Sequence, residues 1–255
     1  MYLLLAYFLN IVNNFNGDDL FYHVAKFMLE HLADFDAMSL QDLADGSHVS
    51  VPTVKQFLRR FDYSNYTAFK RRVLGERDSR LDQIRRGYDL CDMTLLTGIA
   101  QSVSNAPLAA PETMDAIVDE LVRCGRVIVI GSPTIVPVLS NFQIDLSVMG
   151  KPVILSSQIK SHIVDFRPDD LILLISGTGR LFLSEDHLQS ILGQSRNRIV
   201  IFSGGAGVQV PYNVAAQADL STDNEMFQVE YLLMAYFDML RCGYYRRIYG
   251  GKDHD

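Results

Sequence analysis

No CxxC pair occurs among the three cysteines, Cys91, Cys124 and Cys242, which stand far apart along 255 residues. That spacing argues against a zinc or disulfide framework and fits a reducing, cytoplasmic compartment. No apolar run is long enough to span a bilayer. The opening Met1–Leu9, MYLLLAYFL, lacks a basic leader and a small-residue cleavage site, so a buried or dimer-forming first helix is expected there and no membrane association. No GxGxxG follows the first predicted strand and no GK[ST] occurs, which excludes a dinucleotide fingerprint and a P-loop. Nothing marks a metal or cofactor site. Nor is there a general excess of positive charge, since the formal net charge is -7.

That net value hides a segregation. Between Met1 and Val49 seven acidic residues face only Lys26, leaving -6; between Ser50 and Arg86 ten basic residues face four acidic ones, leaving +6. A basic block inside an acidic chain is the electrostatic footprint of a polyanion partner. The block starts within Ser39–Phe61, SLQDLADGSHVSVPTVKQFLRRF. There Ser39 with Asp42 reads as a capping box, and Leu40, Leu43 and Ala44 share a helical face up to Gly46. Ser50 caps a second helix that tolerates Pro52 in its first turn. Val54, Phe57, Leu58 and Phe61 form its apolar face. Two short helices joined by a tight turn predict a helix-turn-helix whose second helix enters the major groove of double-stranded DNA. Ser50, Val51, Thr53 and Gln56 are the candidate base readers, and Lys55, Arg59 and Arg60 the candidate phosphate contacts. Lys70, Arg71 and Arg72, on a helix expected over Asn65–Leu74 with Ser64 as cap and Gly75 as terminator, extend that set.

Around this hairpin, helices are expected over Met1–Phe15, with an N-cap offered by the Asn16–Asp18 turn, and over Asp19–Leu32. Glu76–Val103 reads as one long helix. NAPLAAP, Asn105–Pro111, is the clearest linker. The expected organisation is therefore an all-α DNA-binding domain over 1–75, a linker helix and linker over 76–111, a second domain over 112–249, and a disordered tail over 250–255. The second domain opens with a helix from Pro111 to Cys124. Apolar runs then follow at Val127–Ile130, Val153–Leu155, Leu171–Ile175 and Ile199–Phe202, with a short fifth at Ala218–Leu220, helices between them, one of these over Glu185–Leu192, and a last helix over Met226–Leu240. Strands apolar on both faces and separated by helices predict a parallel sheet covered on both sides, an α/β fold whose ligands sit at the carboxyl ends of the strands. Here those ends are rich in Ser, Thr and Gly.

The order of these elements resembles the MurR/RpiR transcriptional regulators of bacteria, over about Asp18 to Leu240. The likeness is carried by the hairpin segment, by FDYSNYTAFKRRVL with its Phe69-Lys70 helix start, and by RVIVIGS at Arg126–Ser132. The resemblance implies a SIS (sugar isomerase) domain behind the helix-turn-helix, sensing a phosphorylated sugar, in a homodimer or homotetramer that reads a near-palindromic operator and regulates genes of sugar or amino-sugar metabolism. It also implies the ligand set: Ser132 and Thr134 after the first strand, and Ser176, Gly177 and Thr178 after the third. Arg180 stands there as a charged fork, which compensates for Pro133 having no N–H to donate. A SIS-type sugar-phosphate isomerase and a SIS adaptor without a small ligand are the alternatives. An isomerase needs a positioned base, but His162, His187, Glu225 and Glu230 lie in no catalytic context, and no catalytic residue is expected.

Overall fold

Phe57 is the centre of the helical half. Its ring meets those of Phe8, Phe21, Phe61 and Phe69 at centroid distances of 5.6, 5.6, 5.2 and 6.3 Å, in tilted or edge-on arrangements that suit the aromatic quadrupole. Phe8, Phe21 and Phe69 come from three other helices and Phe61 from the turn after Phe57's own in the computed structural model, which describes residues 3–14, 19–104, 107–157, 166–179, 192, 197–204, 213–222 and 225–250. The helices are α1 (Leu3–Asn13), α2 (Leu20–Glu30), α3 (Leu40–Gly46), α4 (Val51–Arg59) and α5 (Tyr66–Asp89). Residues Met1–Asp89 form one compact unit, which also takes in Gln143–Ile154.

Charge inside this unit is used to close helix ends. The buried carboxylate of Glu76 accepts from the backbone N–H groups of Leu4 and Leu5 at 3.0 and 3.2 Å, so it caps the start of α1, and it pairs with Arg72 at 2.9 Å. Arg77 donates to the Leu32 and Ala33 carbonyls just beyond α2. Arg80 and Tyr88 both donate to the buried Asp145, and Asn13 and Gln143 exchange two amide hydrogen bonds of 2.8 Å; these hold the 143–154 segment to the helices.

Several expected helix ends move. Asp19, rather than the preceding turn, caps α2, its carboxylate accepting from the Phe21 N–H. Asn65 instead of Ser64 receives the Thr67 N–H at 2.7 Å, and α5 runs straight through Gly75. A mid-helix glycine costs about 1 kcal/mol. Phe69, Val73, Glu76 and Ile84 are buried along the same helix, which outweighs that cost. The long helix expected through Val103 breaks instead at Leu90–Asp92, where Asp92 caps α6 (Met93–Val103) by accepting from Thr94 at 2.8 Å.

Leu90–Phe142 and Leu155–Asp255 make the second unit. After α7 (Pro111–Arg123) come β1 (Arg126–Ile130), a short 3-10 turn (Val136–Leu139), α8 (Ser140–Val148), β2 (Val153–Ser156), β3 (Asp170–Ser176), β4 (Arg198–Ser203), β5 (Val214–Asp219) and α9 (Glu225–Tyr249). The sheet order is β2-β1-β3-β4-β5, with β1, β3, β4 and β5 paired in parallel. Every residue of β1 and β3 is buried, as strands covered on both faces require. The α/β architecture expected from the apolar runs is therefore the one found. β5 is longer than its apolar run because an edge strand can leave Val214 and Gln217 exposed. The last helix passes through Gly243 to Tyr249, held by burial of Cys242, Tyr244 and Tyr245.

At the amino edge of the sheet, Arg126 and Asp170 form a bidentate pair, Nε to Oδ1 at 2.9 Å and Nη2 to Oδ2 at 2.7 Å, with side chains 2% and 0% exposed. Asp170 Oδ2 also accepts from the Arg167 N–H, and Asn197 donates to the Asp170 and Arg167 carbonyls. Polar groups are satisfied there by the chain itself.

Candidate nucleic-acid interface and ligand loops

The hairpin is built by its two serine caps. Ser39 Oγ accepts from the Asp42 N–H at 3.1 Å while Asp42 accepts from the Ser39 N–H at 2.8 Å, a complete capping box. The Ser39 N–H, and then its hydroxyl, hold the Asp42 carboxyl below its ordinary 3.8. A lowered carboxyl contributes stability above its unfolded-state pKa and loses it as pH falls through the folded-state one, so the box weakens only in acid below about pH 4. His48, at φ +55, turns the chain between the helices, and Ser50 Oγ then accepts from the Thr53 N–H at 3.3 Å and pairs with its hydroxyl at 2.9 Å. Leu43, Ala44, Val54, Phe57 and Leu58 are buried beneath.

On the outer side of α4, Lys55, Gln56, Arg59 and Arg60 are exposed, as is Ser50, while Val51 and Thr53 are half-buried at the helix start. At 100° per residue, positions 52, 53, 55, 56, 59 and 60 fill one contiguous arc. That arc offers hydroxyl and amide groups at the N-terminal end and cationic groups toward the C-terminal end. Arg60 lies with its guanidinium 5.7 Å from the Phe21 ring centroid, so it stacks as well as projects.

The rest of the basic block divides. Arg71 is exposed. Lys70 Nζ donates to the Met38 carbonyl at 2.7 Å, beside the Tyr66 hydroxyl, which donates to the same oxygen at 3.0 Å. Burial, and then the Asp42 charge, push the Tyr66 phenol up to about 12, so it stays a donor. Arg72 pairs with Glu76 but stays exposed, whereas Arg77 and Arg80 are half-buried in the internal pairs already described. Charge counted along the sequence therefore overstates what the surface presents, because a one-dimensional sum cannot separate an arginine that anchors a helix end from one that faces water.

In the sheet unit, parallel register sets the candidate ligand loops side by side. Ser176 stands opposite Ser203, so β3 and β4 end together, and Ile130 stands opposite Leu174, so β1 ends two residues before them. The chain leaves β1 for β2 on one side and returns to β3 on the other. This is the switch point where open α/β sheets hold ligands. Ser132 Oγ accepts from the Ile135 N–H at 3.3 Å and pairs with Thr134 Oγ1 at 2.9 Å. Ser176 is buried, Gly177 half-buried and Thr178 exposed. Gly179, at φ +70, bends the loop, and its N–H and that of Gly204 both donate to the Ser176 carbonyl at 3.1 Å. A Cβ on Gly204 would stand 2.1 Å from the Gly177 carbonyl oxygen, so glycine is required for the two loops to touch.

Arg180, the helix expected over Glu185–Leu192 apart from Leu192, His162, His187 and the tail from Gly251 lie outside the described residues. Ser203 stands outside the sequence-based ligand set, although Ser203-Gly204 repeats the Ser176-Gly177 ending of β3. It is fully buried at the same edge, and next to it Asp219 accepts from the Ser221 N–H and hydroxyl at 2.7 and 2.5 Å. Among the described residues no group of three or more His, Cys, Asp or Glu side chains is placed to hold a metal ion, and no helix is long and apolar enough to cross a membrane.

No family model matches the chain. It is 26% identical over 170 residues to an uncharacterised HTH-type transcriptional regulator from the aarA 3' region of Providencia stuartii, a match covering 61% of this chain and 59% of that protein. That relative is named for the same kind of DNA-binding motif as the capped hairpin described above. The chain spans about three fifths of that curated relative. Similar solved structures include NanR of Vibrio vulnificus in complex with ManNAc-6P, at 15% identity and TM-score 0.43, covering 97% of this chain and 93% of that one. Another is the sugar isomerase domain of an RpiR transcription factor from Sphaerobacter thermophilus, at 18% identity and TM-score 0.43, covering 60% of this chain and 84% of that one. A hypothetical protein of Methanococcus jannaschii, for which a 3-hexulose-6-phosphate isomerase function was inferred, matches at 17% identity and TM-score 0.43, covering 53% and 77%. The chain's own hairpin and loops carry the functional reading.

Proposed function

We propose that the chain is a cytoplasmic, DNA-binding transcriptional regulator of sugar or amino-sugar metabolism, whose affinity for DNA is set by a phosphorylated sugar at the carboxyl edge of its sheet. The observation that carries this reading is the capped hairpin with a polar and cationic arc along the exposed side of α4. Ser50, Val51, Thr53 and Gln56 read base edges; Lys55, Arg59 and Arg60 hold phosphates, with Arg71 and, by leaving their internal partners, Lys70 and Arg72 as further contacts. Two copies related by a two-fold axis would meet a near-palindromic operator. The chemistry is binding rather than turnover, and an isomerase has no use for a cationic α4.

Ser132, Thr134, Ser176, Gly177 and Thr178 form the ligand set, joined by Arg180. Hydroxyls and backbone N–H groups at the switch point suit a phosphate monoester, and Pro133 subtracts one donor. Thermal-shift measurements with phosphorylated hexoses and amino sugars, including N-acetylmannosamine 6-phosphate, test this half. The true effector at 100 times its Kd adds about 2.7 kcal/mol to the sheet unit. If none of the phosphorylated sugars raises the transition, the sensing role is lost and the DNA-binding reading is left standing by itself.

The DNA half is tested by substitution. Arg59→Ala weakens binding to every duplex alike and reduces the slope of log K against log salt by about 1, whereas Gln56→Ala relaxes preference at one base pair. Identical behaviour of the two variants across operator mutants would overturn the division of roles.

A further inference from the structure

Cys91 and Cys242 are 151 positions apart, yet the fold brings their thiols together. Cys91 lies in the three-residue break between α5 and α6, and Cys242 lies on α9 with no exposed surface. One helical turn beyond Cys242, on the same face of α9, Arg246 donates from Nη2 to the Cys91 carbonyl at 2.9 Å. This clamp sets Cys91 over the Cys242 turn, with its side chain beside the Cys242 thiol. The third cysteine takes no part: Cys124 closes α7 and donates its thiol to the Leu121 carbonyl at 3.4 Å.

We propose that Cys91 and Cys242 are a peroxide-sensitive thiol pair that forms an intramolecular disulfide. Cys91 is half-buried and Cys242 is closed off, so the oxidant meets Cys91 first. The Cys91 sulfur attacks one oxygen of hydrogen peroxide, the O–O bond breaks, and a sulfenic acid and one water result. The Cys242 sulfur then attacks the sulfenic sulfur; hydroxide leaves, takes the Cys242 proton and departs as a second water. Two thiols are oxidised by two electrons, and one peroxide is reduced to two waters. Burial, and then the neighbouring Cys91 thiol, push the Cys242 thiol up to about 12, which fits it to the resolving role rather than the first attack. Such a bond in a reducing compartment is transient, formed under oxidant and returned by thiols. While it lasts it fastens the Leu90–Asp92 connection covalently to α9.

The test uses the full chain and hydrogen peroxide. Free thiols counted after denaturation fall from three to one, and trypsin releases Gly87–Arg123 joined to Cys242–Arg246, separable by dithiothreitol. Cys124→Ser loses the same two thiols. Cys242→Ala, which keeps the reactive member, accumulates a dimedone-reactive sulfenic acid at Cys91 instead. The inference is overturned if peroxide leaves all three thiols free, links chains to one another, joins either residue to Cys124, or carries Cys91 to the sulfinic acid with Cys242 still reduced. None of these outcomes depends on whether the chain binds DNA or a sugar phosphate.

Discussion

Asp170→Ala destabilises the sheet unit by about 3–5 kcal/mol, because it strands the Arg126 guanidinium inside the protein without its counter-ion. The effect is large for three reasons visible at that edge. Both members of the pair are shielded from water, the contact is bidentate, and Asp170 also accepts the Arg167 N–H that sets the turn into β3. Urea denaturation followed by circular dichroism reads it as a lower midpoint for one transition. The loss is a large part of the 5–15 kcal/mol that holds an ordinary domain. The double variant Arg126→Met with Asp170→Leu is the control, since removing both charges together leaves no stranded ion and costs far less. Equal losses in the single and double variants would mean that packing, not the uncompensated charge, explains the first result.

Phe57→Ala removes the ring that four others surround, and lowers the stability of the helical unit by about 3–5 kcal/mol. Here the cost is a cavity together with lost transfer energy, so Phe57→Leu, which refills part of the space, recovers much of it. The consequence for function differs from that of Asp170. Phe57 is on α4 itself, three residues from Val54 and one from Gln56, so its loss loosens the helix that presents the candidate base readers. DNA binding falls with the helical transition. A denaturation profile in which Phe57→Ala moves the sheet transition instead would contradict the assignment of this cluster to the helical unit.

The sequence made the hairpin and the sheet legible for a common reason: both are specified by short-range patterns. Ser39 with Asp42 and Ser50 with Thr53 are caps written within four residues, and strands β1 and β3 are built on the apolar runs Val127–Ile130 and Leu171–Ile175. What escaped depended on residues far apart. Gly75 looked like a helix terminator, but burial of Val73, Glu76 and Ile84 keeps α5 going past it. Glu76 looked like one acid in a basic stretch, and its partners are the first N–H groups of α1, over seventy positions earlier. Arg72, Arg77 and Arg80 counted toward a polyanion footprint until their carboxylate and carbonyl partners were visible. At the carboxyl edge, Ser132, Ser176 and Ser203 each follow an apolar run in the sequence, whereas Asp219 comes beside Ser203 only through parallel register.

The central claim is that α4 reads DNA, and equilibrium anisotropy on two labelled duplexes tests it most directly. One duplex carries the DNA upstream of the protein's own coding sequence, the other a scramble of equal length and composition, both at physiological salt. The account predicts tighter binding to the first by about a thousandfold or more. Equal affinity for both duplexes, or none for either, would contradict it.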